Sequence, residues 1–509
     1  MKIKGSLLAK NTIFNLIGYV APFLVSFFAV PYVIGGLGVE RYGILALVFA
    51  VVAYFNMIDL GLGLGTAKFV AEALGKNDHK RIPQIVIMSV GALLVLGSLG
   101  VVMLILATPL LVERVFNVAP HLEAEMKATI YITSFSILIT IVTNSLIGAL
   151  EAYQRFDIIN LIRLPSNLSA TLIPVGVIFL GGGLAAIMLC HVAKNIIALL
   201  GYMIFCSRIL PRPKNIFQID KDLARSLFSF GGWLTLLNIS GGLLRDIERF
   251  FIGALLTVKA VGYYSPPYQI ANITTFFSGS IMPVLFSAFS TLQAQDKERM
   301  EKLFYRALKY IFVLIGSMIL VMMLFSEEML VLWLGDDFAK SAWTLRYLAF
   351  AFLLSPVAWC MSTLLQSTGY VKQMSLIVLI QSPFQILATW VFVKELGMEG
   401  AALSLVAHHT WIVLIYYWAC RRFVGIRSLL HYAPMCLKPA VGFAAGIIVI
   451  MALKGMIPFG FWSTISLISL FLTYWASVSW LYVFHDDDKK MMWEMLEKLR
   501  LRLTTGKRA

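Results

Sequence analysis

Residues 83–110 read PQIVIMSVGALLVLGSLGVVMLILATPL and contain no charged side chain. An α-helix needs about 20 mainly apolar residues to cross the hydrocarbon core of a membrane, because each residue advances the helix by about 1.5 Å. Apolar stretches of this length are typical of transmembrane helices, whereas helices of a soluble core are usually shorter. This stretch therefore predicts a transmembrane helix.

The composition of the whole chain agrees with this prediction. Of its 509 residues, 59% are hydrophobic and 14% are charged, whereas soluble domains contain about 25% charged residues. The five cysteines lie in or at the ends of apolar stretches and form no Cys-x-x-Cys pair, which indicates core residues and no disulfide or metal framework. We exclude a soluble enzyme and expect no catalytic residues, metal ligands or cofactor.

Charge clusters and Gly/Pro turns divide the chain into fourteen predicted spans. The predicted spans are 11–35, 42–66, 83–110, 128–150, 158–181, 184–206, 228–255, 262–286, 303–325, 341–366, 372–393, 400–420, 433–453 and 461–484. The sequence therefore predicts an all-α polytopic membrane protein with about 14 transmembrane helices. A cytoplasmic linker follows the sixth span at 207–226, and an amphipathic cytoplasmic tail is expected at 486–509.

The distribution of Lys and Arg orients these spans. With the amino terminus in the cytoplasm, 30 of the 42 basic residues lie on the inner side and eight on the outer side, as the positive-inside rule requires. Both termini are then cytoplasmic. The net charge of +15 thus belongs mainly to the cytoplasmic rim and to anionic lipid, and we expect no nucleic acid partner. The four remaining basic residues lie inside spans: Lys194, Arg245, Arg249 and Lys438.

An internal repeat relates the two halves. LGVERYG at 37–43 aligns with LTVKAVG at 256–262, LGKNDHKR at 74–81 with LQAQDKER at 292–299, and LGGGLAA at 180–186 with LGMEGAA at 396–402, at offsets of 219, 218 and 216. Six spans separate equivalent points, so the repeats are parallel, as in transporters that bind substrate between two halves. The predicted domains are a six-helix bundle at 1–206, a second at 227–421, and two additional helices at 433–484.

RDIER at 245–249 is the densest group of charged residues inside a predicted span. Charged side chains within a membrane need a partner or an aqueous cavity. On a helix, Arg245 and Arg249 share one face, with Asp246 and Glu248 on either side. One interpretation is a structural network of i,i+3 ion pairs, Arg245 with Glu248 and Asp246 with Arg249. The other is a clamp whose arginines bind a phosphate while the acids tune them or carry a coupling ion.

Three further polar residues are candidates for the substrate path. Asp59 precedes GLGLG at 61–65, where it either caps a helix break beside close helix packing or contacts substrate or a coupling ion. Lys194 is a further candidate cation for substrate binding, with snorkelling to the membrane surface as the alternative. Asn272, in the proline-kinked eighth span, suits a cavity wall.

The amino-terminal motifs resemble those of a known family. NTIFNLIG at 11–18, GLGVERYG at 36–43, YFNMIDLGLG at 54–63 and VAEALG at 70–75 are similar to the pattern of Wzx-type polysaccharide or O-antigen repeat-unit flippases. That family belongs to the multidrug/oligosaccharidyl-lipid/polysaccharide exporter superfamily. The resemblance implies a multi-pass protein of the bacterial inner membrane. Its cargo would be an undecaprenyl-diphosphate-linked oligosaccharide, moved by alternating access for O-antigen, capsule or exopolysaccharide assembly.

Two other functions remain open from the sequence. A cation-coupled multidrug extruder of the same superfamily has the same architecture, but its cargo is commonly cationic, which a cavity led by arginines disfavours. A membrane polysaccharide polymerase or ligase is an enzyme and typically needs a large outer loop, which no predicted loop provides. For a flippase we expect coupling to H⁺ or Na⁺ and an association with the polysaccharide polymerase machinery.

Overall fold

The computed structural model describes residues 24–55, 61–211, 244, 246–427, 433–456, 460–484 and 489. These residues form helices and turns, with no β-strand among them. Nine helices in this part of the chain are long and apolar enough to cross a membrane. The all-α, multi-pass membrane architecture is therefore confirmed. The count of fourteen spans stays a prediction, and most of the predicted tail lies outside the described residues.

In chain order, the helices of the described residues are α1 to α16. Those of the first half are α1 (Leu24–Leu37), α2 (Val39–Phe55), α3 (Leu62–Gly75), α4 (Arg81–Leu110), α5 (Glu123–Ala152), α6 (Phe156–Phe179) and α7 (Leu184–Ile209). Those that follow are α8 (Ile247–Leu255), α9 (Val258–Asn272), α10 (Thr274–Gln295), α11 (Lys297–Leu324), α12 (Ser326–Leu334), α13 (Ala342–Ser367), α14 (Val371–Ala419), α15 (Ala433–Met456) and α16 (Phe461–Val478).

The predicted span 42–66 contains a helix break at Gly61, which agrees with one interpretation of the residues around Asp59. Helix α2 ends at Phe55, and α3 begins at Leu62 after Gly61, whose φ of 62° lies in the left-handed region. A right-handed helix cannot continue through that conformation, which glycine adopts without steric cost. Hydropathy alone does not reveal this break, because both flanking stretches are apolar.

Equivalent turns of the two repeats share an unusual backbone conformation. Gly181, between α6 and α7, has a φ of 76°. Gly397, 216 residues later, has a φ of 64° and interrupts α14, so that this helix comprises two helical segments. The predicted spans 372–393 and 400–420 correspond to those segments. Both glycines occupy the aligned Leu-Gly positions of the predicted repeat.

The repeat is also visible in side-chain contacts. The Cys206 thiol on α7 lies 3.6 Å from the Leu146 carbonyl oxygen on α5. The Cys420 thiol lies 3.7 Å from the Met361 carbonyl oxygen in the second half. The two pairs are separated by nearly the same offset along the chain, so the internal duplication extends from sequence to packing.

Helices α2 and α9 cross at a pair of equivalent glycines. A Cβ atom on Gly43 would lie 2.1 Å from the Val258 carbonyl oxygen, and one on Gly262 would lie 2.2 Å from the Val39 carbonyl oxygen. Gly43 and Gly262 are 219 residues apart, as are Val39 and Val258. The contact is therefore reciprocal, and only residues without a side chain allow two helix backbones to approach this closely.

The described residues pack into two compact units. The amino-terminal unit comprises the described residues of Ala21–Pro266 together with Val378–Ala401. The carboxy-terminal unit comprises those of Pro267–Ile377 and Ala402–Ala509. Helices α9 and α14 contribute to both units, whereas α8 belongs wholly to the amino-terminal unit. The domain division predicted from the repeat follows a different criterion and stays a prediction.

Helices α3, α4 and α5 are joined by small and polar residues inside the amino-terminal unit. The Thr66 hydroxyl lies 2.6 Å from the Ser89 hydroxyl and 3.2 Å from that of Ser145, all three buried. Gly63 packs against Asn144, and a Cβ atom on Gly148 would lie 2.2 Å from the Gly63 carbonyl oxygen. The glycine run after Asp59 thus allows close packing of α3 on α5. Close packing belongs to the first of the two interpretations given for this segment.

Replacing Gly148 with alanine is expected to destabilise the protein by about 1–3 kcal/mol, because the new methyl group would force α3 away from α5. The measurement is the melting temperature of the purified protein in detergent. Gly91→Ala is the matched control, because no atom lies within 4 Å of a Cβ atom at that position of α4. Equal melting temperatures for the two variants would contradict the close approach.

Polar anchors attach the last two helices to α11 within the carboxy-terminal unit. The Trp475 indole N–H on α16 donates to the Val313 carbonyl oxygen at 3.0 Å. Lys454 on α15 donates to the Leu324 carbonyl oxygen at 2.8 Å and forms an ion pair with Glu328 at 2.5 Å. These helices are therefore held by directional contacts as well as by apolar packing.

Candidate substrate and coupling site

Helix α8 lies in the predicted span 228–255, of which residues 228–243 and 245 lie outside the described part of the chain. The first residue of α8 is Ile247, and Asp246 precedes it with a non-helical φ of −130°. The predicted arrangement of residues 245–249 on one continuous helix is therefore wrong at Asp246. Asp246 instead turns its carboxylate to Arg249, and the two side chains form an ion pair while each is less than one-fifth exposed. This is one of the two i,i+3 pairs of the structural interpretation.

Glu248 is the most deeply buried charged residue of this segment, with 1% of its surface exposed. Its carboxylate accepts a hydrogen bond from the Gln385 side chain of α14. Among the described residues, its Oε1 atom has no hydrogen-bond partner. A buried carboxylate with a free acceptor is costly to maintain, which is typical of a site that binds a proton or a cation.

Three polar side chains form the face of α14 that contacts Glu248. Gln381, Gln385 and Thr389 are spaced four residues apart and are all buried, so they follow one face of the helix. The Gln385 amide donates to the Thr389 hydroxyl at 3.1 Å. This face provides uncharged oxygen and nitrogen atoms beside the acidic residues of α8.

Helix α2 completes the surroundings with two tyrosines. Tyr54 lies within electrostatic range of both carboxylates and of Arg249, next to the Asp246 backbone. Tyr42, three turns earlier on the same helix, is buried and lies within range of Arg249. We call Tyr54, Asp246, Glu248, Arg249 and Gln385 the polar cluster. All five belong to the amino-terminal unit.

The far end of α8 is fixed by the turn between α4 and α5. The Asn117 backbone N–H donates to the Gly253 carbonyl oxygen at 2.9 Å, and its side-chain amide donates to the Leu256 carbonyl oxygen at 2.7 Å. Phe116 and Phe250 make an edge-to-face contact with ring centroids 5.3 Å apart. These contacts fix the position of α8 and hence of the charges at its start.

The structure brings together three of the seven predicted site residues, Asp246, Glu248 and Arg249. Arg245 and Asp59 lie outside the described residues, so their placement stays a prediction. Lys194 is half-buried on α7, one turn after the buried His191, which packs edge-to-face on Phe49. Within the described part of the chain, Lys194 forms no ion pair with the acids of the polar cluster.

Asn272 belongs to the carboxy-terminal unit, at the end of α9. Its backbone carbonyl accepts from the Thr275 hydroxyl at 2.7 Å, and its side-chain oxygen lies 3.3 Å from the same hydroxyl. These contacts account for its position at a helix junction. The role of Asn272 in a cavity wall stays a prediction.

Tyr54 and Gln385 are members of the polar cluster that the sequence did not predict. Both are uncharged, so they do not stand out as charged residues inside a span. The spacing of Gln381, Gln385 and Thr389 within a predicted span is a usable signal, because amide side chains at intervals of four residues mark a polar helix face.

Comparison with known proteins agrees with this architecture. Residues 37–343 match the model of a family described as polysaccharide biosynthesis protein. The chain belongs to this family. The match extends from α2 to the start of α13 and includes the polar residues of α8, which confirms the resemblance based on the amino-terminal motifs.

Individual relatives are distant in sequence, and their matches cover different shares of this chain. A putative O-antigen transporter of Shigella flexneri is 21% identical over 82% of this chain and 98% of its own length. A probable low-salt glycan biosynthesis flippase of Haloferax volcanii is 21% identical over 36% of this chain and 39% of its own length. An inward-facing multidrug resistance MATE family transporter of the MOP superfamily shares the fold, with a TM-score of 0.68 at 15% identity over 81% of this chain and 98% of its own.

Proposed function

We propose that this protein is a flippase for undecaprenyl-diphosphate-linked oligosaccharide repeat units in the bacterial inner membrane. The repeat units would serve O-antigen, capsule or exopolysaccharide assembly. Support comes from the polysaccharide biosynthesis family and from relatives named as an O-antigen transporter and a glycan flippase. The distribution of Lys and Arg supports cytoplasmic termini, and polymerase machinery is the expected partner.

The observation that carries the proposal is the partly buried Arg249, held at the start of α8 by Asp246. A guanidinium can bind a phosphate oxygen pair through two parallel hydrogen bonds, which suits the diphosphate of the cargo. Arg245, four residues earlier, supplies a second guanidinium to the same segment, and Lys194 a further cation. The lipid tail of the cargo would stay in the bilayer while two halves of the protein alternate access.

We further propose that Glu248 carries the coupling ion, H⁺ or Na⁺, with Asp246 assisting. Its buried carboxylate has one oxygen without a partner among the described residues, and Gln385 and Thr389 add neutral polar atoms. Binding of a cation would neutralise the carboxylate and remove the cost of its burial.

The clamp is tested by the double substitution Arg245→Ala, Arg249→Ala. We expect it to abolish surface polymer while the protein remains in the membrane, because the diphosphate would lose its charge partners. Immunoblots of surface glycan and of membrane fractions measure the two quantities. Arg155→Ala is the control, because this arginine forms an exposed ion pair with Asp157. Wild-type polymer from the double variant would contradict the clamp.

The coupling role is tested by Glu248→Gln, which keeps the shape of the side chain and removes its charge. We expect at least a tenfold lower flipping rate in proteoliposomes with an imposed H⁺ or Na⁺ gradient. The melting temperature should not fall, because a buried charge has been removed. Glu72→Gln, at an exposed position, is the control. An unchanged response to both gradients would exclude Glu248 as the coupling residue.

A cation-coupled multidrug extruder of the same superfamily is the alternative function. The shared fold with the MATE transporter allows it but does not favour it over a flippase. A deletion strain distinguishes the two, because loss of an extruder causes drug sensitivity without a glycan defect. That phenotype would overturn the flippase proposal.

A further inference from the structure

Asn117 links the two repeats at the end of the helices that is predicted to face outward. It belongs to the turn between α4 and α5 in the first repeat, yet it contacts the turn between α8 and α9 in the second. Its side chain donates to the Leu256 carbonyl oxygen at 2.7 Å, and its backbone carbonyl accepts from the Val258 N–H at 3.2 Å. Together with the bond to Gly253, Asn117 makes three hydrogen bonds between the repeats.

We call the three hydrogen bonds of Asn117 the clasp. The glycine crossing of α2 and α9 lies beside it. Gly43 packs on the backbone of Val258, and Gly262 packs on the backbone of Val39. Apolar side chains surround this crossing: Val258 is 1% exposed, and Phe116 of the first repeat packs edge-to-face on Phe250 of the second. Asn117 is itself exposed, so water can replace its hydrogen bonds when they break. Asn117 therefore supplies the exposed, directional contacts of an interface whose other contacts are apolar.

Two ion pairs at the same end of the helices lie within the first repeat and, unlike the Asn117 hydrogen bonds, do not link it to the second. Lys127 on α5 forms an ion pair with Glu113 at 2.5 Å, and Arg41 forms one with Glu125 at 2.9 Å. Both pairs join elements of the first repeat, which can move as one body without breaking them. The contacts of Asn117 cannot survive if the two repeats separate at this end.

We propose that Asn117 is a positioning residue for transport, which clasps the outer turn of the second repeat and releases it when the outer side opens. The proposal rests on the proposed function, since it assigns a step of the same alternating access. When the outer side is closed, the Asn117 hydrogen bonds and the Gly43–Gly262 crossing are both formed. Opening removes both and gives the cargo a path to the outer leaflet.

The test locks the clasp with a reversible bridge. In a chain whose five cysteines are replaced by serine, the pair Asn117→Cys, Thr257→Cys is cross-linked with a short bis-methanethiosulfonate reagent. We expect flipping of a fluorescent undecaprenyl-diphosphate glycan in proteoliposomes to fall at least tenfold and to return after dithiothreitol. Flipping at the reduced-state rate while the bridge is intact would overturn the proposal.

The pair Glu113→Cys, Lys127→Cys is the matched control, because these positions are in contact at the same end within one repeat. We expect its bridge to leave flipping unchanged. If the reduced chains fail to flip the glycan at all, the proposed function fails, a result distinct from failure of the clasp.

A second measurement does not depend on flipping. Val258→Cys places a thiol at a position only 1% exposed in the closed clasp. We expect a membrane-impermeant maleimide to label it at least threefold faster in the Asn117→Ala background, because loss of the side-chain hydrogen bond favours opening. Unchanged labelling in a correctly folded protein would contradict the role of Asn117.

Discussion

Arg249→Gln is expected to lower the free energy of unfolding by about 3 kcal/mol, because it leaves Asp246 as a partly buried charge without its partner. Adding Asp246→Asn to the same chain is expected to restore most of that stability, because both charges are then absent. Transport, however, should stay at least tenfold below wild type in the double variant. The measurements are melting temperature in detergent and flipping rate in proteoliposomes.

This pair of variants separates the two interpretations of residues 245–249. If Arg249 serves only to balance Asp246, the double variant recovers transport along with stability. If Arg249 binds the diphosphate, stability returns and transport does not. Asp246→Asn alone is the control for loss of the carboxylate. Full transport in the double variant would refute the substrate role of Arg249 and leave the structural network.

Lys454→Met is expected to destabilise the carboxy-terminal unit by roughly 1–3 kcal/mol, because Glu328 loses its cation and the Leu324 carbonyl loses a donor. Glu328 is only 8% exposed, so water cannot fully replace the lysine. Protease accessibility of the segment between α15 and α16 should rise together with the loss of thermal stability. Limited proteolysis in detergent measures the first effect.

The double variant Lys454→Met, Glu328→Gln should regain most of the lost stability, because neither position then carries a charge. Lys394→Met is the control, since this exposed lysine contacts only the Trp390 ring among the described residues. Equal proteolysis of the Lys454 and Lys394 variants would show that the ion pair does not hold α15 in place.

Much of the fold could be predicted because long apolar stretches leave a membrane protein few alternatives. The apolar segments that form α4, α5, α6 and α7 are bounded by charged or glycine-rich turns, and their predicted limits are close to the observed helices. The break before α3 is one of two interpretations of the residues around Asp59, because Gly61 lies between two apolar stretches and hydropathy does not distinguish a continuous helix from an interrupted one.

The candidate site was only partly predictable. Arg249, Asp246 and Glu248 are conspicuous because charge is rare in a span, and their mutual spacing predicts one ion pair correctly. Gln385 could not be assigned to them, because it lies on a different helix more than 130 residues later. A helical projection of the sequence assumes one continuous helix, so it could not anticipate the non-helical φ of Asp246.

The reciprocal crossing of α2 and α9 also bears on the origin of the chain. In an isologous contact between identical subunits, a residue i of one copy meets residue j of the other, and j meets i. Gly43 with Val258 and Gly262 with Val39 satisfy this condition through the constant offset of 219. A six-helix ancestor carrying one such glycine would have paired with a second copy of itself through the same surface. A fusion of two such copies would have kept this interface unchanged.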